Sequence, residues 1–89
     1  MILKMYKIMT RNRRVKKELE SYISLRSGIK DKIRRLKENP RRESGAHSLG
    51  GKLKGKWACW LGSNIRMVYK IYDSEKMILI EAVGSHKVY

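Results

Sequence analysis

Eighty-nine residues make a single domain, 1–89, with room for one modest hydrophobic core. With 22 Lys+Arg against 8 Asp+Glu, the net charge is +14, which makes a compact fold repel itself and favours a polyanionic partner, nucleic acid or an acidic protein. The 42% hydrophobic content excludes a disordered chain, the lone Cys59 excludes an internal disulfide and a cysteine-type zinc site, and no run approaches the ~20 apolar residues of a membrane helix.

Residues 2–9 carry Ile2, Leu3, Met5, Tyr6, Ile8 and Met9, spaced by Lys4 and Lys7, and read as a first strand. That stretch is too short and too charged for a signal peptide, so the expected compartment is the cytoplasm. Thr10 is placed to cap a helix over roughly residues 11–25, where Val15, Leu19, Tyr22 and Ile23 form one apolar stripe. Ser27-Gly28 is expected to break it. A second helix follows with Ile29, Ile33 and Leu36 on one face, and it stops at Asn39-Pro40.

Residues 40–55, "PRRESGAHSLGGKLKG", hold four glycines and little periodicity, so this long connection is expected to be functional or mobile. Strands then follow. "KWACWL" is one. "IRMVYKIY" alternates Ile65, Met67, Tyr69 and Ile71 on one face with Arg66, Val68, Lys70 and Tyr72 on the other. Asp73-Ser74-Glu75 turns the chain, and "MILIEAV" is apolar on nearly every residue, as in a central strand covered on both faces. The order β-α-α-β-β-β predicts an α+β fold: two N-terminal antiparallel helices packed on one face of an antiparallel sheet.

The residues that can carry chemistry sit late in the chain. Arg66 falls on the strand face opposite the apolar stripe, where a planar guanidinium can hold a phosphate. His86 follows a Val-Gly at a strand end and precedes Tyr89, and histidine is the side chain best suited to move protons near neutral pH. His47 is the second histidine. Lys52, Lys54 and Lys56 alternate, so in an extended segment they would line one side and track a nucleic-acid backbone, with Arg41 and Arg42 added at the head of the same loop. Trp57 and Trp60 are expected in the core. Two histidines without clustered carboxylates make a poor metal set, and "GGKLKGK" lacks the spacing of a nucleotide-binding P-loop, so neither metal nor small-molecule cofactor is expected.

An arginine, histidines, a terminal tyrosine and lysines suit one reaction. RNA carries its own nucleophile in the 2′-OH, and cleavage then needs a base, an acid and cations around the phosphate.

The series "RLKENPR", "LGGKLKGKWACWLGSNIRMVYKIYD" and "LIEAVGSHKVY" closely resembles the RelE-type toxins of toxin–antitoxin systems, across essentially the whole chain. The resemblance implies a small αβ RNase that cuts mRNA in the ribosomal A site and inhibits translation. It also implies an acidic, RelB-like antitoxin that wraps the toxin. On this resemblance Arg66 matches a transition-state arginine and His86 a position held by histidine or arginine. His47 resembles a histidine of the YafQ-like branch, and Tyr89 a C-terminal aromatic. The chain departs from the RelE type in having Ala58 and Trp60 where two lysines are usual, and from the YafQ-like branch in lacking an acidic residue near Asn64. Two rival readings are a ParE-like toxin that poisons gyrase and a basic RNA-binding module without activity.

Overall fold

The computed structural model describes residues 5–62 and 64–85. Strand β1 (Lys7–Thr10) leads into helices α1 (Arg13–Leu25) and α2 (Ser27–Glu38), followed by β2 (His47–Ser48), β3 (Trp57–Trp60), β4 (Arg66–Tyr72) and β5 (Met77–Gly84). The strands form one sheet in the order β1-β5-β4-β3-β2. This is the expected β-α-α-β-β-β fold, with the two-residue β2 added from within the long connection. The β2 to β5 ladder is antiparallel as expected, but β1 lies parallel to β5, so the sheet is mixed. Parallel neighbours need a crossover, and here the helical pair and the β3–β4 hairpin together supply it.

Local chemistry sets the helix ends. Thr10 is still in the sheet, opposite Ile80, so the cap falls to Asn12, whose side-chain oxygen accepts from the Val15 N–H at 2.9 Å. The break between helices is Arg26, extended at φ −137° and ψ 115°, rather than Ser27-Gly28, which open α2. Asn39 caps α2 ahead of Pro40, as expected.

The helices cover one face of the sheet. Val15 and Leu19 of α1 and Ile29, Ile33 and Leu36 of α2 pack on Cys59, Leu61, Ile65, Met67, Tyr69, Ile78, Ile80 and Val83. Burial of this apolar surface is the main favourable term holding the domain together. Inside it the Cys59 thiol is pushed up to about 12 by burial, which makes it a small hydrophobe and not a nucleophile.

The β5 strand is not covered by helices on both faces. Its register slips by one residue at Val68/Tyr69: Val68 faces Ala82 while Tyr69 faces Ile80, leaving Glu81 as the extra residue of a bulge. The slip changes which side chains point where. It keeps Val83 in the core beside Met67 and turns Ala82 and Gly84 to the opposite face, next to Val68 and Arg66.

A polar cluster ties the edges together. The Tyr6 hydroxyl donates to Asp73 Oδ1 at 2.6 Å, and Arg41 donates to both Asp73 oxygens at 3.0 and 2.7 Å. Nearby, the buried Tyr69 hydroxyl donates to the Pro40 carbonyl at 2.6 Å. These contacts pin the start of the 40–55 connection to the β4–β5 turn. The rest of that connection is also ordered, by 3-10 turns at Glu43–Gly45 and Gly51–Leu53 and by the Leu49 N–H donating to the Lys56 carbonyl at 2.9 Å.

Candidate functional site

The face away from the helices carries the candidate site. Its floor is made of small side chains: Ala58 of β3 faces Val68 of β4, which faces Ala82 of β5. Arg66 opens β4, flanked across the sheet by Trp60 on one side and Gly84 on the other. Its guanidinium lies over the Trp60 ring, 4.0 Å from the centroid, a separation at which cation–π attraction orients the planar fork.

Trp60 is itself held in place. It is not part of the core, contrary to the expectation from sequence; only Trp57 packs there. The turn at Glu43–Gly45 closes against the indole so tightly that a Cβ on Gly45 would sit 3.1 Å from Trp60 Cδ1. Gly45 also has φ +67°, a conformation glycine adopts without steric cost.

His47 lies on the same face, opposite Ala58, and is exposed. Its Nδ1 sits 3.2 Å from the Gly45 carbonyl. A carbonyl only accepts, so Nδ1 is the donor in this contact. Two strand spacings and two residues separate His47 from Arg66, roughly 12 Å between Cα atoms by standard sheet geometry. His86 and Tyr89 lie outside the described residues. Gly84, the cross-strand partner of Arg66, precedes His86 by two positions in the sequence.

The lysines do not form the expected extended row. Gly51–Leu53 is a 3-10 turn and Gly55 has φ +94°, so alternation in sequence no longer sets Lys52, Lys54 and Lys56 along one line. Lys52 and Lys54 are exposed, whereas Lys56 reaches onto the sheet, its Nζ 2.6 Å from Glu81 Oε1. Lys70 approaches the other oxygen at 3.7 Å. Burial alone would raise the Glu81 pKa, but the hydrogen bond from Lys56 and the charges of Lys56, Lys70 and Arg11 outweigh it and hold the carboxylate below its ordinary value.

Of the two loop arginines, Arg42 is exposed. Arg41 is engaged by Asp73 and lies 5.8 Å from the Trp57 ring centroid, which gives it a structural task at the edge of the core. Sequence reasoning missed two site residues, Trp60 and Glu81. Trp60 was marked by alternation, since Cys59 faces in and its neighbours therefore face out. Glu81 was marked as the one charge inside an apolar strand.

No protein-family model matches the sequence, and no curated protein sequence matches it. Solved structures do. A YoeB/ParE toxin from Agrobacterium tumefaciens aligns with a TM-score of 0.73 at 20% identity, over 90% of this chain and 98% of that one. The RelBE2 toxin–antitoxin complex from Mycobacterium tuberculosis gives 0.73 at 17%, over 96% and 95%. The isolated RelE toxin of E. coli gives 0.69 at 23%, over 94% and 87%. Two helices packed on one face of the sheet are thus a fold shared with these RelE, YoeB and ParE toxin structures.

Proposed function

We propose that this protein is the toxin of a toxin–antitoxin system, and that it is a metal-independent, ribosome-associated endoribonuclease that cuts mRNA and stops translation. The observation that carries the reading is Arg66, held over Trp60 on the helix-free sheet face of a toxin-like fold, directly across from the strand end that leads to His86. In this mechanism a base removes the 2′-OH proton, the 2′-oxygen attacks the adjacent phosphorus, and the 5′-oxygen leaves with a proton from an acid. The products are a 2′,3′-cyclic phosphate and a 5′-hydroxyl. Arg66 stabilises the charge that builds on the phosphate oxygens. His86 is the proposed proton-transfer group, with Tyr89 and His47 completing the catalytic set, and Lys52, Lys54, Lys56 and Arg42 hold the RNA backbone.

The net charge of +14 supports an acidic antitoxin as the resting partner, and the similar structures include the toxin–antitoxin complexes RelBE2 and YoeB–YefM. Primer extension on an mRNA translated in a cell-free system, with and without ribosomes, tests the reading. New 5′ ends within codons, seen only when ribosomes are present, are the expected result. Intact mRNA under both conditions overturns it, and a gyrase-inhibition assay on the same preparation then tests the ParE-like alternative.

A further inference from the structure

Glu81 and Lys70 have no part in the roles assigned so far, and Lys56, proposed to contact the RNA backbone, forms a cluster with them. Trp57 and Tyr69 are cross-strand partners, so the preceding Lys56 and the following Lys70 come next to each other along the same ladder. Two ammonium groups brought together across strands repel. Glu81 reaches them from β5 because the bulge supplies an extra residue at that point, and bulges commonly re-aim a side chain next to a working site.

The three groups differ in exposure. The Glu81 side chain is 12% exposed, Lys56 28% and Lys70 40%, so the carboxylate forms the base of the cluster and the ammonium groups its outer rim. A single carboxylate cannot neutralise two cations, and the cluster keeps a net positive charge that faces outward. Its Lys70 lies on the same strand and the same face as Arg66, four residues along.

We propose that Glu81 is a positioning residue that holds Lys56 and Lys70 as a paired clamp for a second RNA phosphate, on the same sheet face as Arg66 but away from the scissile bond. The inference rests on the ribonuclease reading and names a subsite within it. One carboxylate pairs with both amines, so the RNA meets two cations already in place and is set in the register that cleavage needs. Removing that carboxylate makes the face more positive yet leaves the amines unplaced. Affinity and turnover should therefore move in opposite directions.

The test measures binding and cleavage separately on Glu81→Gln. Binding to a short single-stranded RNA whose reactive 2′-OH is replaced by hydrogen is followed by fluorescence anisotropy across salt concentrations. Single-turnover cleavage is followed on ribosome-bound mRNA. We expect binding as tight as wild type or tighter, a log–log salt slope steeper by roughly 0.7, and cleavage slower by about tenfold to a hundredfold. Glu81→Asp, one methylene shorter, should recover part of the rate and restore the wild-type slope.

Unchanged cleavage by Glu81→Gln overturns the proposal, as does a loss of affinity and rate together with a normal melting curve. If Glu81→Gln does not fold, Lys70→Gln decides. A flatter slope with slower cleavage supports the clamp, and wild-type values for both overturn it. A wild-type protein that neither binds nor cuts RNA removes the ribonuclease reading itself, which is a separate outcome.

Discussion

The Arg66 guanidinium stands 4.0 Å from the centre of the Trp60 ring, and Trp60 in turn stands against Gly45. The proposed catalytic cation is thus oriented by an indole that a glycine turn keeps in place. Arg66→Ala should slow cleavage by about 10²–10³, the usual cost of losing a preorganised group aimed at transition-state charge. Arg66→Lys should recover only part of that, because an ammonium lacks the bidentate fork and stacks less well on the ring. Single-turnover cleavage of ribosome-bound mRNA measures both.

Gly45→Ala tests the support behind Trp60. Its φ of +67° disfavours any L side chain, and the new methyl would press on the indole. A loss of about 1–2 kcal/mol in denaturant unfolding is expected, together with slower cleavage. Cleavage at the wild-type rate would separate the turn from the site.

His86, the proposed proton-transfer group, lies outside the described residues. His86→Ala should slow cleavage by about 10²–10⁴ while RNA binding stays nearly intact. His86→Gln, which cannot titrate, should be almost as slow. The wild-type rate should change with pH around 6.5, the ordinary histidine value, and that dependence should vanish in either mutant. A pH–rate profile that is the same in all three proteins removes His86 from the mechanism.

Asp73 links stability to pH. Hydrogen bonds from Arg41, then from Tyr6, together with the charge of Arg41, hold its carboxyl well below the usual carboxylate range. A group whose pKa is depressed on folding stabilises the fold above its unfolded value, near 3.9, and loses that contribution as pH falls toward the folded value. Melting temperature should therefore drop as wild-type protein is acidified below about pH 4. Asp73→Asn should melt lower at pH 7 and lose part of that acid dependence.

Lys52 and Lys54 should supply affinity alone. Replacing both with alanine removes two exposed charges, so the log–log salt slope of RNA binding should flatten by roughly 1.4. Cleavage at saturating RNA should stay within a few-fold of wild type. An unaltered slope would mean both lysines point away from the RNA.

The elements legible in the sequence were those set by local pattern. The Val15/Leu19 and Ile29/Ile33/Leu36 spacings gave both helices, and the Ile65/Met67/Tyr69 alternation placed Arg66 on the correct face. What stayed hidden depends on partners distant in sequence. The pairing of His47–Ser48 with β3 is worth only two residues of ladder and has no hydrophobic period to announce it. The bulge at Glu81 is a mismatch between two strands, which neither strand shows alone. Lys56 looked free because its carboxylate partner lies 25 positions away.

Strand β4 divides its residues by parity, and the division has an evolutionary consequence. Met67 and Tyr69 are locked among the helices, while Arg66, Val68 and Lys70 face away from them. Changes at Met67, Tyr69 and the buried Val68 act on folding stability, and those at Arg66 and Lys70 on what the surface presents. Selection can therefore act on the two properties through interleaved positions of one seven-residue segment. A lineage of such proteins can drift in surface charge at positions 66 and 70 while its melting temperature stays nearly constant.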